Sequence, residues 1–455
     1  MRELRTLTAG EIIDQRPLSR FQILTILLCG IVLVLDGFNT QSIGFLAPAM
    51  AETLGIPVRN FGAIFGAGLF GLMIASMAMG SVADRWGRKW PVVISTLVFA
   101  TFTLLTASAA SFNQLLILRF LTGLGLGGAI PNVVALSCEY APSCLTSVVV
   151  GVLMCGMPLG LAVGGLAGYM MIPAWGWRSV FYLGGLLPLA VAILLIRWLP
   201  ESVRFLALRG SDPKKIARFM AQIAPDLESA NVIFTVPQDC RKVGFPVRDL
   251  FTGGRATGTI LLWVQFFMSL VTLYFIVNWL PELLKQAAMP VSAGVMVLSL
   301  FSIGSIFGSL AQGFLMNRFG SYLVLLVEFG GCTLLAGLLA FVATSFPQTM
   351  AVTFVLGGCV TGAQSGLNAL AAGFYPTSMR STGVGWALGI GRIGSIVGPV
   401  LGGVMLSMEL SAQQILLAGA VPPLCAAAAT ILSNRFQDNS SAYRVGRDAG
   451  GDFVK

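Results

Sequence analysis

The chain contains no histidine, and only 10% of its residues are charged, against about 25% in soluble domains. Without imidazole it lacks the commonest metal ligand and the usual near-neutral proton carrier, so any proton chemistry must run through carboxylates. The eight cysteines, Cys29, Cys138, Cys144, Cys155, Cys240, Cys332, Cys359 and Cys425, form no Cys-x-x-Cys pair and fall mostly in apolar runs. They read as small buried hydrophobes, not as a disulfide frame or metal site. Nothing calls for a cofactor. The glycine run Gly123-Leu124-Gly125-Leu126-Gly127-Gly128 looks like a dinucleotide loop, but no strand precedes it and it lies in an apolar span, which excludes that reading.

What replaces the missing charge is apolar: 56% of the 455 residues are hydrophobic, and the mean hydropathy is +0.85. This is the composition of a polytopic membrane protein. The 54 glycines suit close helix packing in lipid. The first twenty residues, with Arg2, Arg5, Arg16 and Arg20, read as a polar tail, and the apolar run after them is too long for a signal peptide core.

Twelve apolar segments can each cross about 30 Å of hydrocarbon as a helix. They fall near 22–46, 60–82, 91–110, 113–136, 146–170, 179–199, 257–280, 292–315, 321–343, 347–371, 382–406 and 411–433. The expected fold class is all-α, with two six-helix halves. The boundaries read as an N-tail 1–21, a first half 22–199, a central loop 200–256, a second half 257–433 and a C-tail 434–455. With both termini cytoplasmic, 23 of the 28 Lys and Arg lie on the cytoplasmic side and only Arg59, Arg178 and Lys285 lie opposite. That bias sets the orientation. It also explains the net charge of +9 without nucleic acid.

The halves repeat. Gly80-Ser81-Val82-Ala83-Asp84-Arg85-Trp86-Gly87-Arg88-Lys89 follows the second span, and Gly313-Phe314-Leu315-Met316-Asn317-Arg318-Phe319-Gly320 follows the eighth. Glu139-Tyr140-Ala141-Pro142 and Phe374-Tyr375-Pro376 follow the fourth and tenth. A parallel repeat of this kind predicts halves related about the membrane normal, with the substrate between them.

The repeated loop and the six-plus-six layout resemble the major facilitator superfamily over nearly the whole chain. Within it, three stretches resemble the aromatic acid:proton symporters, most closely the transporters of 4-hydroxybenzoate and protocatechuate. They are Asp36-Gly37-Phe38-Asn39-Thr40-Gln41-Ser42-Ile43-Gly44-Phe45-Leu46-Ala47-Pro48, the Pro200-Glu201-Ser202 with Arg204, and Ser381-Thr382-Gly383-Val384-Gly385-Trp386 through Gly391-Arg392. There are departures. Asn39 stands where the resemblance leads one to expect a second acid, Asn317 where the second-half loop should carry Asp, and the turn Pro142-Ser143-Cys144-Leu145-Thr146 has no Arg.

A carboxylate mid-span costs roughly 2.5–3.5 kcal/mol on insertion scales, so it marks a polar cavity or a partner. Asp36 is the first candidate proton carrier and Glu328 the second; each has a structural ion-pair or local-pair alternative. A carboxylate substrate needs a fixed cation, which arginine supplies through paired donors. Arg392 is the candidate ligand, and the resemblance points to it too. Arg119 is its rival, read as a coupling residue that senses the protonation of a nearby acid. For both, a buried ion pair fixing helix orientation is the structural alternative. An aromatic substrate needs stacking surfaces and a few polar anchors. Phe38, Tyr274, Trp279 and Trp386 are candidates for the first, and Asn39, Gln364, Ser365 and Asn368 for the second. The resemblance implies a cytoplasmic gate built on Asp84, Arg85 and Arg88, with Glu139, Arg318 and Arg380 at related positions; a solvated loop is the plainer alternative.

The expected function is proton-coupled import of small aromatic carboxylates by alternating access, through a multi-pass bacterial inner-membrane protein. Its partners would be substrate, protons and lipid; it would catalyse no covalent reaction and work as a monomer. An importer of another organic acid or sugar, a drug exporter, and a membrane sensor are the alternatives.

Overall fold

In hydrocarbon a backbone has no hydrogen-bond partner but itself, so long apolar runs must be helical. The computed structural model describes residues 5–8, 13–14, 16–208, 222–223, 232–235, 247–252, 255–376 and 379–449. Among them are twelve helical segments long and apolar enough to cross a membrane. The chain divides into two compact units, Met1–Lys242 and Val243–Lys455.

The first unit contains α1 (Arg20–Leu54), α2 (Phe61–Trp86), α3 (Lys89–Ala107), α4 (Phe112–Tyr140), α5 (Thr146–Met154), α6 (Gly156–Trp175), α7 (Trp177–Trp198) and the short α8 (Val203–Leu208). The fifth span is broken at Cys155 because Pro158 cannot donate to the carbonyl four residues earlier. The second unit contains α9 (Ala256–Gln286), α10 (Val291–Phe319), α11 (Ser321–Val342), α12 (Phe346–Phe374), α13 (Arg380–Ser407), α14 (Ala412–Ala418) and α15 (Val421–Ala449). The twelfth span is interrupted before Pro422-Pro423 for the same reason. Outside the spans, β1 (Arg5–Thr8) pairs in parallel with β2 (Val232–Thr235), a short addition to an otherwise helical chain.

The repeat read in the sequence recurs in the packing of each unit. In the first, α2 packs on α4, α1 on α6, and α3 on α4 and α7. In the second, α10 packs on α12, α9 on α13, and α11 on α12 and α15. Glycine makes these crossings close. A Cβ on Gly123 would lie 1.9 Å from the Gly68 carbonyl oxygen, and one on Gly304 1.9 Å from that of Phe354. The Gly160/Gly164 face of α6 lies on Val34 and Phe38 of α1, and the Gly394/Gly398 face of α13 lies on Phe267 and Val271 of α9. The repeated loops end alike: Gly87 at φ 85° and Gly320 at φ 83° both need the left-handed conformation that favours glycine. Separate apolar cores fill the two units, one around Val133, Leu136 and Tyr140, the other around Phe266, Phe329 and Leu367.

Candidate functional site

The middle of the first unit holds a buried polar cluster drawn from α1, α3, α4 and α7. Asp36 is fully buried and accepts a hydrogen bond from Thr40, one turn on, at 3.0 Å. Asn39 is also fully buried, and all its side-chain polar atoms are engaged. Its Nδ2 donates to the carbonyls of Leu35 at 3.0 Å and Gly184 at 2.9 Å, and its Oδ1 accepts from Thr103 at 2.9 Å. It therefore ties α1 to α3 and α7. Phe38 is packed between Gly164 and Gly184.

Arg119 enters this cluster from α4. It is 3% exposed, with its guanidinium 4.5 Å above the Phe181 ring. Its Nη1 makes a long 3.5 Å contact to the Asn39 carbonyl, while Nε and Nη2 are buried without an acceptor. A buried donor left unmade costs about 1–3 kcal/mol. A cation held on an aromatic face with open donors is arranged to receive an anion. Arg119 thus reaches the backbone of Asn39, three residues on from Asp36 in α1.

At one end of the unit a second polar network joins α2, α3, α4 and the segment after α7. Arg88 Nε pairs with Glu139 Oε1 at 2.9 Å, and Ser202 donates its hydroxyl to Glu139 Oε2. Glu201 accepts from the backbone N–H groups of Arg88 at 2.6 Å and Lys89 at 3.1 Å, and so caps α3 from a distant segment. Its carboxylate occupies the space a Cβ on Gly87 would need. Tyr140 completes the junction by donating to the Glu201 carbonyl at 2.7 Å. Arg85 is exposed; the side chain of Asp84 lies outside the described residues. Nearby, Asp14 accepts from the N–H of Ser143 at 2.7 Å and from its hydroxyl. These donors hold the Asp14 carboxyl below the usual carboxylate range.

The remaining candidates lie in the second unit. Glu328 is 8% exposed and accepts from Gln312 Nε2 at 3.1 Å. Arg392 is half-buried in α13. Gln364 accepts from Ser269 at 2.9 Å, and Asn368, one turn later, is exposed. Tyr274 is buried in α9. Trp386 is 44% exposed and stacks on Trp263 at 6.0 Å, near the start of α13. Trp279 is buried and donates to the Pro399 carbonyl at 2.8 Å. Arg318 lies over the Phe319 ring, and Arg380 is exposed at the start of α13. Among the described residues no group of three or more Cys, Asp or Glu could hold a metal ion.

Sequence reasoning overlooked several of these partners. Glu282, 3% exposed and bonded to Gln286, is a further buried acid. It escaped notice because it lies past the estimated end of its span; α9 runs on to Gln286. Gln312 had a readable signal, an amide within an apolar run. Phe181 had none, since one phenylalanine among many shows nothing of what lies above its ring.

The comparisons with known proteins agree with this architecture. The chain matches the Major Facilitator Superfamily over residues 29–399 and 262–443. It is 40% identical over 433 residues to the 4-hydroxybenzoate transporter PcaK of Pseudomonas putida, covering 94% of this chain and 96% of that one. It is 36% identical to a gallate transporter of Pseudomonas putida, covering 93% and 94% of the two chains. With a 3-(3-hydroxy-phenyl)propionate transporter of Escherichia coli (strain K12) the identity is 35%, over 87% and 92%. Among solved structures, a bacterial homologue of the human lysosomal transporter Spinster aligns with a TM-score of 0.72 at 16% identity, covering 92% of this chain and 98% of that one. The xylose transporter XylE from E. coli aligns with a TM-score of 0.71 at 14% identity, over 90% and 97%. The chain belongs to the Major Facilitator Superfamily, as a multi-pass membrane transporter of twelve apolar helices and not an enzyme.

Proposed function

We propose that the protein imports small aromatic carboxylates, 4-hydroxybenzoate, protocatechuate or related benzoates, together with protons, by alternating access across the bacterial inner membrane. The observation that carries this reading is Arg119: a guanidinium buried in a span, seated on an aromatic ring, with two donors open and its remaining contact on the carbonyl of Asn39, three residues on from Asp36. The named substrates of the relatives, 4-hydroxybenzoate, gallate and a hydroxyphenylpropionate, fit that chemistry.

In this scheme Asp36 is the proton carrier and Arg119 the coupling group. With Asp36 protonated, the Arg119 donors are open to the substrate carboxylate. When Asp36 loses its proton, the new anion competes for the same donors and the substrate leaves. Arg392 supplies a second fixed charge for the substrate. Gln364, Asn368, Tyr274 and Trp386 remain candidates for contacts to the aromatic ring. The engaged donors of Asn39 and the packed ring of Phe38 suit a supporting role for those two. The Arg88–Glu139–Ser202 network, with Asp84 and Arg85 beside it in the sequence, is the cytoplasmic gate, and Arg318 and Arg380 are its second-half counterparts. Both termini are cytoplasmic, and the transporter works as a monomer.

The test is uptake of radiolabelled 4-hydroxybenzoate by cells expressing the chain, with and without a protonophore, alongside other organic acids and sugars. Protonophore-sensitive uptake of an aromatic acid supports the reading. Uptake of sugars alone, or efflux of a drug, replaces it with another activity of the superfamily. Arg119→Lys and Arg392→Lys each should weaken a carboxylate more than an uncharged analogue; equal losses would make that arginine structural.

A further inference from the structure

The scheme above places one proton on Asp36 and leaves Glu328, a buried acid of the second unit, without work. Glu328 lies seven residues into α11, about 10 Å along the helix axis at 1.5 Å per residue. Among the described residues its one hydrogen-bond partner is an amide: Gln312 of α10 donates Nε2–H to Glu328 Oε2 at 3.1 Å. Gln312 Oε1 is buried and has no donor. Bare glycine backbone from α12 covers the pair. A Cβ on Gly362 would lie 2.5 Å from Glu328 Oε1 and 3.3 Å from Gln312 Oε1, and one on Gly366 would lie 2.3 Å from Gln312 Nε2. The titratable groups facing the carboxyl are the thiols of Cys332 in α11 and Cys359 in α12, neither of them a cation.

An ionised carboxylate in this place would be a buried charge matched only by a neutral amide. It would also leave Gln312 Oε1 without a donor. A protonated carboxyl removes both problems. It is neutral, and its Oε1–H supplies the missing donor, so acid and amide close a ring of two hydrogen bonds. A glutamine at 328 would build the same ring without a titratable group. What the carboxyl adds is a proton that can leave. Hydroxyl groups mark a polar line between the same helices: Thr361 donates to the Ser305 carbonyl at 2.9 Å, and Ser365 lies 3.4 Å from Ser309, one turn from Gln312.

We propose that Glu328 is a second proton-binding site of this transporter, occupied in the state described here and emptied to the cytoplasmic water in each cycle. The inference rests on the proton-coupled reading above and deepens it. In each turnover the carboxyl O–H breaks, the proton passes to water on the release side, and the bond re-forms with a proton from the other side. The charge balance then changes. One proton with a carboxylate monoanion is neutral; two protons with the same anion carry one positive charge inward.

The experiment uses the full-length protein in proteoliposomes with a potassium diffusion potential, inside negative, and no pH gradient. For wild type, accumulation of 4-hydroxybenzoate should rise with the potential, by roughly fiftyfold per 100 mV at equilibrium, the equivalent of ~2.3 kcal/mol per charge. Glu328→Gln should lose that response and still accumulate substrate on a pH gradient. Glu328→Asp, which keeps a carboxyl, should retain it. Uptake by wild type that follows the pH gradient but ignores the potential overturns the proposal while leaving the importer reading intact; no uptake of any aromatic carboxylate strikes the importer reading instead. An infrared measurement needs neither substrate nor flux. Wild type at neutral pH should show a carboxylic-acid C=O band that Glu328→Gln lacks, and its absence from wild type would overturn the proposal by itself.

Discussion

Replacing Asn39 with aspartate would supply the acid that the resembling transporters lead one to expect in the first span, and the structure says the change should harm the protein. Both Nδ2 hydrogens of Asn39 are used, on Leu35 at 3.0 Å and Gly184 at 2.9 Å, in a site with no exposure. Aspartate has no donor to offer when ionised. Two hydrogen bonds at about 1 kcal/mol each are lost outright. A carboxylate would then face two carbonyl oxygens away from water, which adds further cost. The expected destabilisation is about 2–4 kcal/mol. It should show as a lower unfolding temperature of the purified protein in detergent, and as weaker folding between α1, α3 and α7. A double-mutant cycle with Thr103→Val sharpens the test. In the native background Thr103 donates to a neutral amide oxygen, at about 1 kcal/mol; against a carboxylate the same bond is charge-assisted and stronger. Removing Thr103 should therefore cost more in the Asn39→Asp protein than in wild type. If Asn39→Asp unfolds at the wild-type temperature and the cycle shows no coupling, Asn39 is not the tie described here.

Other expectations follow from the same structure. Glu201→Ala removes the acceptor for two N–H groups at the start of α3 and should lower stability by about 1 kcal/mol, with Glu201→Gln losing less, as read by thermal unfolding. Gly123→Ala would place a methyl 1.9 Å from the Gly68 carbonyl oxygen and should cost about 3 kcal/mol or more in folded yield and unfolding temperature, whereas Gly151→Ala, with open space around it, should be tolerated. The carboxyl of Asp14 is held below its ordinary range by Ser143, so its contribution is present above the unfolded carboxylate value and is lost as pH falls through the depressed one. Proteolysis of the N-terminal segment should quicken as the medium is acidified, and Asp14→Asn should show the quicker rate at every pH.

Much of the fold was legible because lipid leaves the chain few choices. Apolar length placed the twelve spans, and the matching loops that end at Gly87 and Gly320 showed the repeat. Helix ends were less legible. The first helix runs on through Pro48 to Leu54, and α9 runs on to Gln286, because capping and packing decide where a helix stops, not hydropathy. Within the candidate site, rare polar residues in apolar runs pointed to Asp36, Arg119 and Glu328. Their partners were harder to read. Asn39 looks like an open polar anchor in the sequence, yet Thr103 and the Gly184 carbonyl, distant along the chain, take up its polar atoms. Likewise Glu201 reaches Arg88 and Lys89 across more than a hundred residues. One-dimensional patterns show which residues are costly in lipid but not which contacts offset the cost.

In the proposed cycle a proton on Asp36 drives an aromatic carboxylate inward past Arg119. Its most direct test is uptake of radiolabelled 4-hydroxybenzoate into proteoliposomes under an imposed pH gradient, comparing wild type with Asp36→Asn. Wild type should accumulate the acid while the gradient lasts and lose it when a protonophore is added; Asp36→Asn should accumulate less, and Asp36→Asn combined with Glu328→Gln should equilibrate substrate without accumulating it. Undiminished accumulation by Asp36→Asn would contradict the account.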